Sequence, residues 1–131
     1  MDTSEKKEYG QGAGPPGAEM NDELHLFSSE SLLGEWRPHR RNPVKSDVRS
    51  SRPAGRLFRR ADGLYRPGQI CTPLYGAGIA LNRVTRLTHD EYAEEETARI
   101  EPKEARTLGI HTFNRTGDLT VADAFERRPR F

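Results

Sequence analysis

NPVKSDVRSSRPAGRLFRRADGLYRPGQ, residues 42–69, sets polar turns and two short strand-like runs at close spacing. Its two X-Pro steps, Asn42-Pro43 and Arg52-Pro53, push the residues before proline toward extended backbone. Asp47 falls in a loop between them. Ala54 to Arg59 and Leu64 to Gln69 form two short strand-like runs around a turn at Arg60 to Gly63, and the Asp62-Gly63 pair in that turn is a hairpin signal. The segment is expected to be the entry and first hairpin of an antiparallel sheet.

N-terminal to this segment, Leu24 to Ser28 reads as a strand with Leu24 and Leu26 on one face and His25 and Phe27 on the other. SSESLLG, residues 28–34, reads as a helical turn or loop with a serine cap and a glycine stop, and Trp36 as a packing anchor against it. After a turn at Thr72 to Gly76, the run Ala77 to Leu87 has strand character. Ile79, Leu81 and Val84 are its packing candidates, and Asn82-Arg83 breaks the alternation where a bulge would fall. EYAEEETARI, residues 91–100, has helical composition, yet an exposed outer strand from Tyr92 to Ile100 completes a four-stranded unit. Gly109 to Asn114 and Leu119 to Ala124 are two further strands around a turn at Arg115 to Asp118. Residues 1–23 contain GQGAGPPGA and offer little apolar area against their ordering entropy. They are expected to be a flexible tail, with residues 24–131 as the folded domain.

At 131 residues with 33% hydrophobic composition, the chain has room for one small domain with a modest core. Twelve glycines and nine prolines favour turns and short strands over long helices. The 21 basic and 20 acidic residues nearly cancel, but they are segregated. Residues 37–66 hold the basic cluster that includes Arg37, Arg56, Arg59 and Arg66, whereas Glu94, Glu95 and Glu96 belong to an acidic run that reads as a solvated outer face. The basic cluster reads either as a solvated face or as a surface meeting phosphate or carboxylate groups. It lacks the aromatic-basic platform of nucleic-acid binders, so no nucleic-acid partner is expected. Cys71, the one cysteine, excludes an internal disulfide and reads as a small buried residue. The four histidines show no metal-ligand spacing, so no metal or cofactor is expected. Neither a membrane span nor the apolar core of a secretion signal is visible, which leads to the expectation of a soluble, cytoplasmic product.

These elements add up to an all-β chain with one complete antiparallel four-stranded sheet, a trailing strand before it and half a sheet after it. Four-stranded sheets in radial array are the blades of a propeller, which are stabilised by neighbouring blades and closure. An isolated fragment is expected to pair with another copy or a complementary chain, to fold weakly, or to come from an interrupted gene. LHLFSSESLLGEWRPHRRNPV at 24–44, SDVRSSRPAGRLFRRADGLYRPGQ at 46–69, YGAGIALNRVTRLT at 75–88, Tyr92 with Glu94 and Glu95, and GIHTFNRTGDLTVAD at 109–123 together resemble one family. It is the N-terminal, five-bladed, glycosidase-like propeller domain of plant glucosamine inositolphosphorylceramide transferases and its bacterial relatives. The resemblance is to the C-terminal portion of that domain and implies a partial five-bladed propeller of a carbohydrate-active class. Nothing in the chain corresponds to the separate transferase domain of the plant proteins. Where relatives tend to read Arg-Pro-Ala-Gln-Asp, this chain reads Arg66-Pro67-Gly68-Gln69-Ile70.

Glycoside hydrolysis uses two carboxyl groups flanking the scissile bond. Asp47 is the catalytic candidate, since its loop precedes a blade strand, but it also reads as an Asx-type turn cap. Arg52, before Pro53, suits clamping a carboxylate, sugar hydroxyl or phosphate, and equally a structural pair with Asp47. Arg66 and Gln69 are candidate polar contacts at a strand end. His111 is a candidate ligand contact or a satisfied histidine between blades, and Tyr65 and Tyr75 are sugar-facing rings or packing. With no second carboxylate placed opposite Asp47, the expected function is binding of a glycan or sugar-phosphate without independent catalysis. The alternatives are an interaction module completed by another chain and a glycoside hydrolase or accessory domain that uses Asp47.

Overall fold

The structure, a computed structural model, describes residues 8–12, 22–73, 76–103 and 107–129. Among them the chain is all-β, folded as several small antiparallel sheets with the character of partial propeller blades and without closure into a ring. No helix of the described residues is long and apolar enough to cross a membrane.

The first sheet is built on β2 (Glu23–Ser29), flanked by β1 (Glu8–Gly12) on one side and by β3 (Arg37–Pro38) and β4 (Lys45–Ser46) on the other. The second neighbour is split because prolines at 38 and 43 lack the N–H a continuous ladder needs. The Asn42 carboxamide fills the gap, accepting from Leu26 N at 2.9 Å and donating to Leu26 O at 2.8 Å. Leu24 and Leu26 are fully buried as the alternation predicts, and His25 on the other face is buried too. Residues 30–34 form bends and turns with no helix. Trp36 meets that turn through its indole N–H, which donates to Leu32 O, and also packs on β1, where Gly10 leaves room for its ring.

β1 lies inside the segment expected to be a flexible tail. The structure corrects that expectation for residues 8–12, because β2 offers an open edge whose backbone groups the glycine-rich strand can satisfy. Residues 1–7 and 13–21 of the expected tail lie outside the described residues.

The central sheet has the order β5 (Phe58–Arg60), β6 (Gly63–Ile70), β7 (Gly78–Leu87), β8 (Tyr92–Ile100). It is the four-stranded unit that the sequence suggests, and β8 is its outer strand despite its helical composition. Pairing with the long β7 overrides propensity there. Arg60 pairs with Gly63, so Ala61 and Asp62 form the loop. Gly63, at φ 146°, starts the return strand. The β7–β8 ladder shifts register between Leu81 and Asn82 and again between Val84 and Arg86, which places a bulge where alternation fails in the sequence.

The two faces of this sheet differ. One presents Tyr65, Leu81 and Ile79, which with Ala54 and Phe58 form the apolar core, closed by Ile100, Ile110 and Phe113. The other presents Arg66, Gly68 and Ile70 to the 45–51 segment that follows the first sheet. Beyond the core face lie two small ladders, β9 (Thr107–Gly109) with β12 (Phe125–Glu126) and β10 (Phe113–Thr116) with β11 (Leu119–Ala122). The sequence suggested one strand from 109 to 114. It breaks at 110–112 because Asp123 Oδ1 accepts from both His111 N, 3.0 Å, and Thr112 N, 2.7 Å. The Ile110 N–H goes to Gly76 O at 2.9 Å.

Candidate functional site

Arg66 stands on a central strand with none of its side chain exposed. A buried guanidinium is costly unless its donors and its charge are all met. Nε donates to Glu94 Oε2 at 2.7 Å and Nη2 to Glu94 Oε1 at 2.7 Å, while Nη1 and Nη2 also reach the carbonyls of Ser51 and Ser50 at 3.1 and 2.5 Å. Lys45 Nζ donates to Glu94 Oε1 at 2.6 Å, and the Tyr92 hydroxyl donates to Glu94 Oε2. Burial works to raise the Glu94 carboxyl, but the Arg66 and Lys45 donors prevail and hold it below its ordinary value. Burial likewise opposes the charge of Arg66, and the Glu94 carboxylate prevails to raise the guanidinium pKa. Burial next to this carboxylate pushes the Tyr92 phenol far up.

Glu94 is thus the member of the cluster that the sequence concealed, since its side chain is only 4% exposed within a run that reads as a solvated face. The usable signal was Arg66 itself, set among Tyr65, Pro67 and Ile70 in a strand that required a partner for it. Because all three guanidinium nitrogens of Arg66 are engaged inside the fold, its observed role is to lock the 45–51 segment to the blade. Gly68 belongs to the same lock, since a Cβ there would overlap the Ser50 carbonyl that Arg66 binds. Ile70, which replaces an acidic residue of the resembled motif, is 3% exposed and packs in the sheet.

Asp47, Arg52, Gln69 and His111 are brought to one end of the blade by backbone bonds. Cys71 N donates to Val48 O at 3.0 Å, Gln69 N to Arg52 O at 2.7 Å, and Gln69 Nε2 to His111 O at 2.7 Å. Arg66, three residues from Gln69 on the strand, faces the opposite side from it, where it holds the Ser50 and Ser51 carbonyls of the segment that carries Asp47. The Asp47 carboxylate is turned onto Arg49. Oδ1 accepts from Arg49 N at 2.9 Å and Nε at 3.0 Å, and Oδ2 accepts from Nη2 at 3.0 Å. The Arg49 side chain therefore holds the Asp47 carboxyl below its ordinary value, and the backbone bond closes an Asx turn. Gln69 is buried and spends its amide on the His111 backbone. Tyr65 is buried, stacks on Phe58 and donates to Asp62 at 2.7 Å. Tyr75 lies outside the described residues. Burial pushes the Cys71 thiol up, away from the thiolate a nucleophile requires.

A broad cleft of about 1280 Å³ opens at the other end of the blade, by the β5–β6 hairpin. One wall carries Trp36 and Tyr9 from the first sheet, and another carries Arg56 and Arg59 at β5. Arg115 enters from β10 and His89 from the β7–β8 turn. Two contacts set β10 beside β5. Arg56 N donates to Asn114 Oδ1 at 3.1 Å, and Gly55 lies so close to the Phe113 carbonyl that a Cβ would not fit. The turn onto the first sheet is held by His39 Nε2 against Thr88 O at 2.7 Å. The Trp36 indole N–H donates to Leu32 O at 3.3 Å, and 38% of the residue stays exposed. Arg56 and Arg59 belong to the basic cluster evident in the sequence. Trp36 and Arg115 lack any local signal that would place them in the same cleft, since they come from different sheets.

The family model for the N-terminal domain of glucosamine inositolphosphorylceramide transferase 1 matches residues 8–123. Glucosamine inositolphosphorylceramide transferase 1 of Oryza sativa subsp. japonica is 42% identical over 80 residues, which is 60% of this chain and 11% of that protein. Its counterpart in Arabidopsis thaliana is 40% identical over 82 residues, 61% of this chain and 11% of that protein. The match therefore spans about a tenth of the length of these curated relatives. No solved structure matches the chain.

Proposed function

The chain belongs to the family of the glucosamine inositolphosphorylceramide transferase 1 N-terminal domain, and from that premise we propose that it is a carbohydrate-binding blade unit of a five-bladed propeller without hydrolytic activity of its own. The observation that carries this reading is the cleft beside the β5–β6 hairpin, where an exposed tryptophan and a tyrosine stand among arginines. Aromatic rings receive the apolar face of a sugar, while the planar donor forks of arginine take its oxygens. The state of Asp47 supports the non-catalytic part. Both its oxygens are engaged by Arg49, whereas hydrolysis needs a carboxyl free to transfer a proton or attack.

Trp36 is the sole tryptophan, so its emission reports directly on the cleft. Titration of the folded chain with neutral mono- and disaccharides is expected to give a saturable emission change. Tyr9→Ala is expected to weaken that binding about tenfold, the effect of losing roughly 1.4 kcal/mol. A folded sample with no saturable response overturns the reading, as does glycoside turnover abolished by Asp47→Ala.

A second reading, an interaction module completed by another chain or copy, is favoured by the terminal ladders. Leu119, Val121 and Phe125 are 62%, 56% and 60% exposed there, and apolar side chains on two-stranded ladders with open edges are what strand addition covers. Sedimentation across a concentration series is expected to show association that Val121→Lys abolishes. A monomer at every concentration sinks this second reading.

A further inference from the structure

We infer that the sugar held in this cleft bears an anionic group, phosphate or carboxylate, and that Arg56, Arg59 and Arg115 form the subsite for it. The inference rests on the carbohydrate reading above and adds the charge of the ligand and the residues that select it.

Three observations carry it. First, five arginines elsewhere on the surface are matched to carboxylates, Arg83 with Glu95, Arg86 with Glu91, Arg99 with Glu96, Arg49 with Asp47 and Arg40 with Asp90, and Arg60 lies over the Tyr65 ring. Arg56, Arg59 and Arg115 have no carboxylate partner among the described residues, although all three line one cleft. Second, Glu8 is the one acidic residue among the described residues of the lining. Three guanidinium groups against one carboxylate leave a net charge of +2 before any contribution from His89. A concave wall of one sign concentrates field and draws an anion inward. Third, the three come from two sheets held in register by the Asn114 side chain and by the close approach of Gly55 to the β10 backbone. Their place in one lining is therefore set by packing between two sheets, and it does not follow from a run of like charges along one strand.

Guanidinium forks match phosphate and carboxylate oxygens in bidentate geometry, and bonds to an ionised acceptor are about twice as strong as neutral ones. Each such contact corresponds to roughly a tenfold gain in affinity. The division of labour is an aromatic wall for the ring and an arginine wall for the charge.

The test titrates the folded chain with glucose, glucose 6-phosphate, glucuronate and inorganic phosphate, read by calorimetry at two salt concentrations. Glucose 6-phosphate or glucuronate is expected to bind about tenfold or more tighter than glucose, with a gain that shrinks as salt rises. The larger of the two gains identifies the anion. The double variant Arg56→Gln/Arg59→Gln is expected to remove that gain and its salt dependence, weakening the charged sugar about tenfold more than glucose. Equal affinity for charged and neutral sugars overturns the inference while the carbohydrate reading stands. Inorganic phosphate binding as tightly as glucose 6-phosphate overturns it as well, because the site would then hold an adventitious ion only. Absence of saturable binding by every sugar overturns the carbohydrate reading itself, and the inference falls with it.

Discussion

Glu94→Gln is expected to destabilise the fold by about 3–5 kcal/mol, the cost typical of stranding one partner of a buried ion pair. The carboxamide keeps the shape of Glu94 but loses its charge, and one of its two polar atoms becomes a donor facing Arg66 Nε and Nη2, which are donors too. Arg66 has no route to solvent, since none of its side chain is exposed, and Lys45 loses the same partner. Urea denaturation followed by circular dichroism measures the loss. A cost below about 1 kcal/mol would mean that water reaches the pair and that the cluster is not the lock described. Double replacement, Arg66→Met with Glu94→Leu, is expected to cost less than Glu94→Gln alone. It does not return to wild type, because the Ser50 and Ser51 carbonyls then lose their donor.

The same cluster fixes a pH dependence. The folded-state pKa of Glu94 lies below its ordinary value of 4.5, so the unfolded chain binds the proton more readily than the folded one. The stabilisation is complete above the ordinary value and is lost as pH falls from there through the lowered folded-state value. In Glu94→Gln this acid-dependent part of the stability is expected to vanish, which separates the contribution of Glu94 from those of exposed carboxylates.

The parts of the fold written in local pattern were legible in the sequence. Asp62-Gly63 between two strand-like runs marked the hairpin, and the broken alternation at Asn82-Arg83 marked the bulge that now sits in the β7–β8 ladder. β8 was legible only by arguing that a four-stranded unit needed it, since its residues favour helix. What escaped the reading depends on contacts between segments far apart in the chain. β1 exists because β2 has an open edge, and the strand expected across 109–114 breaks because Asp123 captures its amides. Glu94 looks like its neighbours Glu95 and Glu96 until Arg66, on another strand, is seen to require it. The site divides in the same way. Asp47, Arg52, Gln69 and His111 do gather at one end of the blade, but the open cleft lies at the other, assembled from residues of three sheets that no local spacing unites.

Phe58→Ala is expected to cost about 3–5 kcal/mol, the usual range for emptying a buried aromatic site, and to loosen one sheet against the next. Phe58 is 7% exposed. Its ring stacks on Tyr65 of the same blade at 5.7 Å and meets Phe113 of β10 at 5.9 Å with a tilt of 43°. Each aromatic pair adds about 0.5–1.5 kcal/mol beyond the area it buries, so one substitution removes a contact within the blade and a contact between sheets. The two losses differ in consequence. Within the blade, the ladders of β6 with β7 and β8 persist without the ring, whereas β10 is tied to the blade chiefly by Phe113 against this core and by the bonds around Ala54 and Asn114. Amide exchange at Phe113–Thr116 is therefore expected to accelerate more than exchange at Ile79–Val84. Phe58→Leu, which refills much of the volume, is expected to restore most of the stability but not the slow exchange of β10, because it lacks the tilted ring contact. Uniform acceleration across both strands would show instead that the sheets open as one cooperative unit, with the Phe58 ring serving as general core filling and not as the coupling between blades.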